Sequence, residues 1–309
     1  MPSPAAGPHE GTGDRHVLAD RPTEEAATRA NMTAHMKRIA PVVLLLALTL
    51  VSCSEGTRGV AVVANTQQTL TPGPNRMLLA IASEDDGAFI SQPDVDTVAR
   101  FSFDGEDVAE VDTEWVWAIP GVRGFLVAYV DLDSPGRWDV VLDPADGPPT
   151  PPTPFGVQTD SAVPTIGDRA ISAETRTYPE FPLDVISSDP DPDPRMHELS
   201  LDEALTNGQP TVIAFATPAF CQTASCGPTL EVVHSVMDDY PGVNFLHVEI
   251  YADLDAAASG SLDPVPAVRA WGLPTEPWVF VVDSDGVITA RFEGATGADE
   301  LRRALENLG

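Results

Sequence analysis

Lysine is almost missing from this 309-residue chain, which has a single one, Lys37. That excludes a lysine nucleophile, a Schiff base and a Walker-type phosphate lysine anywhere downstream. Bases of any kind are scarce: 17 Lys and Arg face 47 Asp and Glu, a formal net charge of −30. Such a balance argues against nucleic acid as a partner, because Lys and Arg are what neutralise phosphates. Cysteine occurs three times, at 53, 221 and 226. Long apolar runs are short of what a membrane span needs. Ile39–Val51 has 13 residues, against ~20 for a spanning helix. What is plentiful is core material and proline. Hydrophobic residues make up 43% of the chain, which excludes wholesale disorder. Thirty prolines point to extended linkers, and the length allows about two domains.

Residues 1–35 are polar and without hydrophobic period, a disordered or mis-assigned start. Met36 begins a different pattern. Lys37 and Arg38 precede the apolar run, and Leu50-Val51-Ser52-Cys53 closes it. A charged start, a short apolar stretch and a small residue before the boundary make a secretory leader over 36–53. The last four residues resemble the lipobox of bacterial lipoproteins. That resemblance implies lipidation of Cys53, a membrane attached through the lipid, and an extracytoplasmic location at the cell membrane. The alternatives are an ordinary cleaved leader or an uncleaved anchor. Five acids and five bases lie before residue 54, so the remainder keeps the full −30 and all its bases are Arg. Its two cysteines, Cys221 and Cys226, then face an oxidising compartment.

Residues 54–74 read as a tether. From 75 to 143, Met77–Ala82, Asp96–Phe103, Val108–Ile119, Phe125–Leu132 and Trp138–Leu142 alternate with Gly, Asp and Pro clusters. Short strands at that spacing predict a small all-β sandwich. The turn Ser134-Pro135-Gly136-Arg137-Trp138 resembles those of small immunoglobulin-like bacterial domains. Some such domains bind copper through Met and His, but residues 54–160 hold one Met and no His or Cys, so no metal is expected there. Residues 144–195, ending in Asp189-Pro190-Asp191-Pro192-Asp193-Pro194, read as a Pro/Asp-rich extended linker, because repeated Pro blocks helix and central strand. The Asp repeat lacks the Gly turn and terminal Glu of a calcium loop.

Residues 196–309 form a second unit. Ser200-Leu201-Asp202-Glu203 is a capping box. Thr211–Ala216 is a buried strand, and a cysteine loop follows. Gly227–Tyr240 is a helix with Leu230, Val233 and Met237 on one face. Asn244–Ile250 is a strand, Pro266–Trp271 a short helix, Trp278–Asp283 and Val287–Phe292 a hairpin around Ser284-Asp285-Gly286. Ala298–Leu308 is a closing amphipathic helix. The order is β-α-β-α-β-β-α.

That order, with cysteines after the first strand, resembles the thioredoxin fold. Phe215-Ala216-Thr217-Pro218-Ala219-Phe220-Cys221 is similar to the family's strand-aromatic-Cys entry. Trp271-Gly272-Leu273-Pro274-Thr275-Glu276-Pro277 is similar to the segment that ends in its cis-proline. Val279–Gly286 looks like the strand and hairpin of its secreted, membrane-tethered members. The resemblance implies an α/β thioredoxin-like C-terminal domain, thiol–disulfide exchange with envelope proteins, no cofactor, and a site made of Cys221, Cys226, Pro277 and Glu276. The family motif is C-x-x-C, whereas here four residues separate Cys221 from Cys226. Positions i and i+5 of a helix lie ~7.5 Å apart along the axis, while a disulfide wants Cα atoms about 4.4–6.8 Å apart. Either Cys221 lies in the loop, or the first helical turn unwinds on oxidation.

Which thiol attacks is open on sequence. Cys221 stands at the family's usual distance from the strand. Cys226-Gly227-Pro228 copies its Cys-Gly-Pro start, with Thr229 in place of the second cysteine, and Pro suits a first helical position. A helix N-terminus favours thiolate, and on that argument Cys226 is the lower-pKa thiol. Glu276, before the expected cis-proline, either faces the disulfide and raises a thiol pKa or is a solvated turn residue. Three other readings compete. One is a thioredoxin-fold binding module with a structural disulfide. The second is a peroxidase like the Q-type peroxiredoxins, which share the C-x4-C spacing; its activating Arg is wanting, with Arg291 the nearest base. The third is a copper chaperone like the Sco-type proteins, whose distal His has no counterpart after His247. His247 reads as a core or surface histidine, and His234 as a residue of the helix's polar face.

Overall fold

The computed structural model describes residues 59–308. The expected disordered or mis-assigned start at 1–35, the expected leader at 36–53 and Cys53 lie outside the described residues. The described chain packs as one compact unit, in which an antiparallel sandwich precedes a mixed α/β part.

The sandwich strands are β1 (Gly59–Val63), β2 (Gly73–Ser83), β3 (Phe89–Ile90), β4 (Thr97–Phe103), β5 (Glu106–Asp112), β6 (Glu114–Ile119), β7 (Arg123–Leu132), β8 (Gly136–Pro144) and β9 (Thr153–Val157). One sheet has the order β1-β2-β7-β6, with β3 beside β2, and the other runs β5-β4-β8-β9. Met77, Leu79 and Ile81 point from β2 into the core between the sheets, with Phe101, Trp138, Leu142 and Phe155 from the opposite sheet. Leu78, on the other face of β2, packs with Val116 and Val127 of the same sheet and with Ala295 of the α/β part. Burial on both faces is why Met77–Ala82 reads as an unbroken apolar run rather than an alternating one.

Three expectations about the first half are corrected. The expected tether at 54–74 contains β1 and a 3-10 turn at Gln67–Thr69. The expected linker begins with Pro144 still in β8, and it contains β9, whose Phe155 and Val157 complete the core. The run Val108–Ile119 is two strands in different sheets. The break is at Thr113, whose N–H and hydroxyl both donate to the Thr97 carbonyl, at 3.1 and 2.8 Å. Those bonds use up the ladder there and turn the chain across the sandwich.

Residues 158–200 are not a free spacer either. They strap the α/β part, with Val163, Ile171 and Ala173 against its core. The Ile171 carbonyl accepts from Trp271 Nε1 at 2.8 Å, and Arg169 bridges to Val287. The Asp-Pro repeat runs into a 3-10 turn, Pro194–His197. Asp193 caps it, held down to about 2 by its bonds from Arg195.

The strap also carries the short helix α1 (Leu183–Ile186). Then follow α2 (Leu201–Ala204), β10 (Thr211–Ala216), α3 (Cys226–Met237), β11 (Asn244–Glu249), α4 (Leu254–Ala258), α5 (Pro266–Trp271), β12 (Trp278–Val282), β13 (Ile288–Glu293) and α6 (Ala298–Glu306). The sheet order is β11-β10-β12-β13, with β10 and β11 parallel and the other pairs antiparallel. This is the thioredoxin-like arrangement expected, with α4 added. Ile213 and Phe215 of β10 face one core with Trp271 and Phe280, while Val212 and Ala214 face the other with Val233 and Leu301. A central strand covered on both faces is buried at every position.

Candidate functional site

Strand β10 ends at Ala216, and the buried Thr217 begins the turn to Cys221. Cys221 lies in the loop, as the first of the two geometric alternatives requires. Residues 222–224 turn, Ala224 taking a left-handed φ of 58°, and Cys226 is the first residue of α3. The two cysteines are joined, with Cα atoms 6.0 Å apart.

The two sulfurs sit in different surroundings. Cys226 is 0% exposed. It continues the stripe Leu230, Val233 and Met237 back by one turn, so the helix period points it into the core. Cys221 is partly exposed. Its Sγ accepts the Cys226 backbone N–H at 3.3 Å and lies 3.3 Å from Thr223 Oγ1. It is thus Cys221 whose sulfur sits at the free N–H end of α3. The helix-start argument that the sequence attached to Cys226 therefore falls, by geometry, on the Cys221 sulfur. The helix end acts on the sulfur placed before it, not on the cysteine that opens the helix.

The loop between the cysteines is flanked on two sides. Burial pushes the Glu276 carboxyl above the usual range, against the opposing pull of the nearby Gln222 backbone N–H. Glu276 is therefore half-buried against the disulfide loop rather than a solvated turn residue. The Glu276–Pro277 bond is cis and Pro277 is buried, directly before β12. From the sandwich, the Arg123 guanidinium donates to the Thr223 carbonyl.

No protein-family model matches the chain, and no curated protein matches it. Solved structures similar to it include a thiol:disulfide interchange protein DsbE from Chlorobium tepidum, at 17% identity and a TM-score of 0.32 over 47% of this chain and 99% of that one. A thio-disulfide isomerase from Thermus thermophilus is 24% identical, with a TM-score of 0.28 over 40% and 98%. StoA from Bacillus subtilis is 18% identical, with a TM-score of 0.28 over 39% and 94%. Likeness at this level leaves the chemistry of this chain to its own residues.

The other residues weighed on sequence lie away from the sulfurs' partners. His247 is 6% exposed. Its Nε2–H donates to the Ala216 carbonyl at 3.0 Å, and its Nδ1 accepts from Ser187 Oγ at 3.3 Å. Its ring meets that of buried His197 edge-on, 5.1 Å away. Burial pushes both imidazoles down, His197 to about 3. They are neutral core residues. His234 is exposed and pairs with Asp193 at 2.9 Å. Arg291 donates to the carbonyls of Thr69 and Pro164, which commits it to the sandwich and strap, not to a thiolate. Among the described residues, no three His, Cys, Asp or Glu side chains gather as a metal site, and no helix is long and apolar enough to cross a membrane.

The sandwich closes on the α/β part through buried charges that sequence reasoning missed. Arg76 grips Glu300 through two nitrogens, at 2.7 and 2.9 Å, the side chains being 7% and 2% exposed. It also donates to the carbonyls of Glu293 and Ala295, and Tyr129 donates to Glu300. Glu293, buried, accepts from the Thr66 N–H at 2.8 Å and the Thr69 hydroxyl at 3.0 Å. The same carboxylate takes the Thr275 hydroxyl at 3.3 Å, next to Glu276. The only local signal was Glu300 at the third position of α6, where it accepts the Gly297 N–H.

Proposed function

We propose that this protein is a lipid-anchored, extracytoplasmic thioredoxin-like protein that exchanges thiols and disulfides with envelope proteins through Cys221 and Cys226. The observation that carries the reading is the asymmetry of the pair: a partly exposed cysteine whose sulfur sits at a helix N-terminus, bonded to a cysteine with no exposure. In the reducing direction, the Cys221 thiolate attacks a substrate disulfide and one substrate sulfur leaves as thiolate. The Cys226 thiol then gives up its proton and attacks Cys221 Sγ. That expels the second substrate sulfur and leaves the Cys221–Cys226 disulfide. The substrate gains two electrons and the pair loses two. Pro277 and Glu276 flank the loop as the substrate-facing edge, and Glu276 disfavours a second negative charge beside it. Cys53 is the lipid acceptor that holds the acidic chain at the membrane.

A structural disulfide is the second reading, favoured by the complete burial of Cys226. The reduction potential separates the two. A value between about −270 and −120 mV belongs to an exchanging pair, and one below about −300 mV to a structural bond. Under the proposal, Cys226→Ser accumulates mixed disulfides through Cys221 in cells, and Cys221→Ser does not. If neither variant captures any partner, exchange is abandoned.

A further inference from the structure

We infer that Arg123 of the sandwich is a positioning residue of the redox site, tuning the Cys221 thiolate through Thr223. This rests on the exchange reading of the cysteine pair and adds to it a part for the sandwich. Arg123 opens β7, just after the turn Pro120–Val122, and its guanidinium crosses to the Thr223 carbonyl. Its backbone is fixed there. Trp115 lies over the neighbouring Gly124 so closely that a Cβ at that position would stand 2.4 Å from the ring. The Arg123 Nε is buried without a hydrogen-bond partner, so part of the guanidinium has given up water for this contact, which a solvated surface arginine would not do.

What Arg123 holds is the residue that touches the reactive sulfur. Thr223 offers its carbonyl to Arg123, and its hydroxyl donates to Cys221 Sγ at 3.3 Å while accepting from the Ser225 hydroxyl at 2.7 Å. The Thr223 turn itself is exposed, and Ala224 beside it occupies the left-handed region that a residue with a Cβ enters at a cost. A turn of that kind needs an outside hold to stay put. Arg123 supplies one on Thr223. With Thr223 held, its hydroxyl is aimed at the sulfur and stabilises a thiolate there by donating to it.

The test uses the full chain with Cys53→Ser and Cys226→Ser, so that Cys221 is the one thiol. Its pKa is read from the pH dependence of alkylation by iodoacetamide. A hydrogen bond to an ionised group changes an equilibrium constant by about tenfold or more. Arg123→Gln should therefore raise the Cys221 pKa by about one unit, a tenfold fall in thiolate below both values. Thr223→Val, which keeps the carbonyl and removes the hydroxyl, should raise it by a similar amount. The double variant should show no more than the larger single effect, because both remove one chain of contacts. Arg123→Lys should restore most of the shift. An unchanged pKa in either single variant, or fully additive shifts, overturns the inference. A partly unfolded Arg123→Gln would show in its thermal melt, and Thr223→Val then decides alone. The result does not depend on whether the pair exchanges with proteins, which the potential and the trapping experiment decide separately.

Discussion

Removing Arg76 should cost this protein a large part of its stability, and the structure says how much. The guanidinium is buried and makes two bonds to Glu300, itself 2% exposed. Burial pushes the Glu300 carboxyl up. Arg76, Tyr129 and the Gly297 N–H pull it down further, so its net pKa lies below the ordinary value. Arg76→Ala leaves that carboxylate buried with no cation. Breaking a buried pair on one side costs about 3–5 kcal/mol, whereas an exposed pair contributes about 0–1. At 2–4 °C per kcal/mol for a chain of about this size, the melting temperature should fall by roughly 6–20 °C. Urea unfolding followed by tryptophan fluorescence reads the same loss. The pH dependence has a definite sign. A carboxyl depressed in the native state contributes stability above its unfolded pKa, and that stability is lost as pH falls through the native value. The penalty of Arg76→Ala should therefore be largest near pH 7 and shrink on acidification, as Glu300 takes up a proton. Arg76→Met with Glu300→Gln should lose less than the sum of the two single losses. A loss below about 1 kcal/mol at pH 7, or one that does not change with pH, would refute the argument that this pair is buried and coupled.

Three other outcomes can be checked directly. Glu276 has its carboxyl raised by burial, so the native state holds its proton more tightly and stability falls as pH rises through the window above the unfolded value. Glu276→Gln should gain stability relative to the parent at pH 7 and not at pH 4, in paired urea melts; an equal difference at both contradicts it. Gly272 closes α5 at φ 65°, and a Cβ there would stand 2.6 Å from the Ala162 carbonyl oxygen. Gly272→Ala should cost about 1–2 kcal/mol for the left-handed backbone alone, and more for the clash; a neutral melt would show that the strap at Ala162 yields freely. Cys53→Ser should move the protein from the membrane fraction to the soluble one and abolish the mass added by lipid. Persistent membrane association would point to an uncleaved anchor.

The α/β part was legible because its signals are local. Thr211–Ala216 is a strand to the residue, since a β-favouring Thr and five apolar residues between a turn and a Thr-Pro have no other use. Gly286 and the alternation around it gave the hairpin. The burial of Cys226 was also legible, four residues before Leu230 on the same stripe, whereas the seat of the Cys221 sulfur at the helix start depends on the shape of the loop. The rest depended on partners distant in sequence. Arg76 and Glu300 are 224 residues apart, and each alone looks like an ordinary solvated charge. Arg123 and Thr223, 100 apart, carry no pattern that links them. β9 was hidden by the prolines in and beside it, and both β1 and β9 by their length of five residues.

The strap and the buried acids bear on how this protein can be divided. A C-terminal piece cut at residue 196 would lack Val163, Ile171 and Ala173 from its core. Glu293 and Glu300 would have lost the Thr66, Thr69 and Arg76 groups that now satisfy them. The thioredoxin-like part is thus not a portable module. It is half of an obligate pair, and an insertion, fusion or excision that separates it from the sandwich removes part of its own interior.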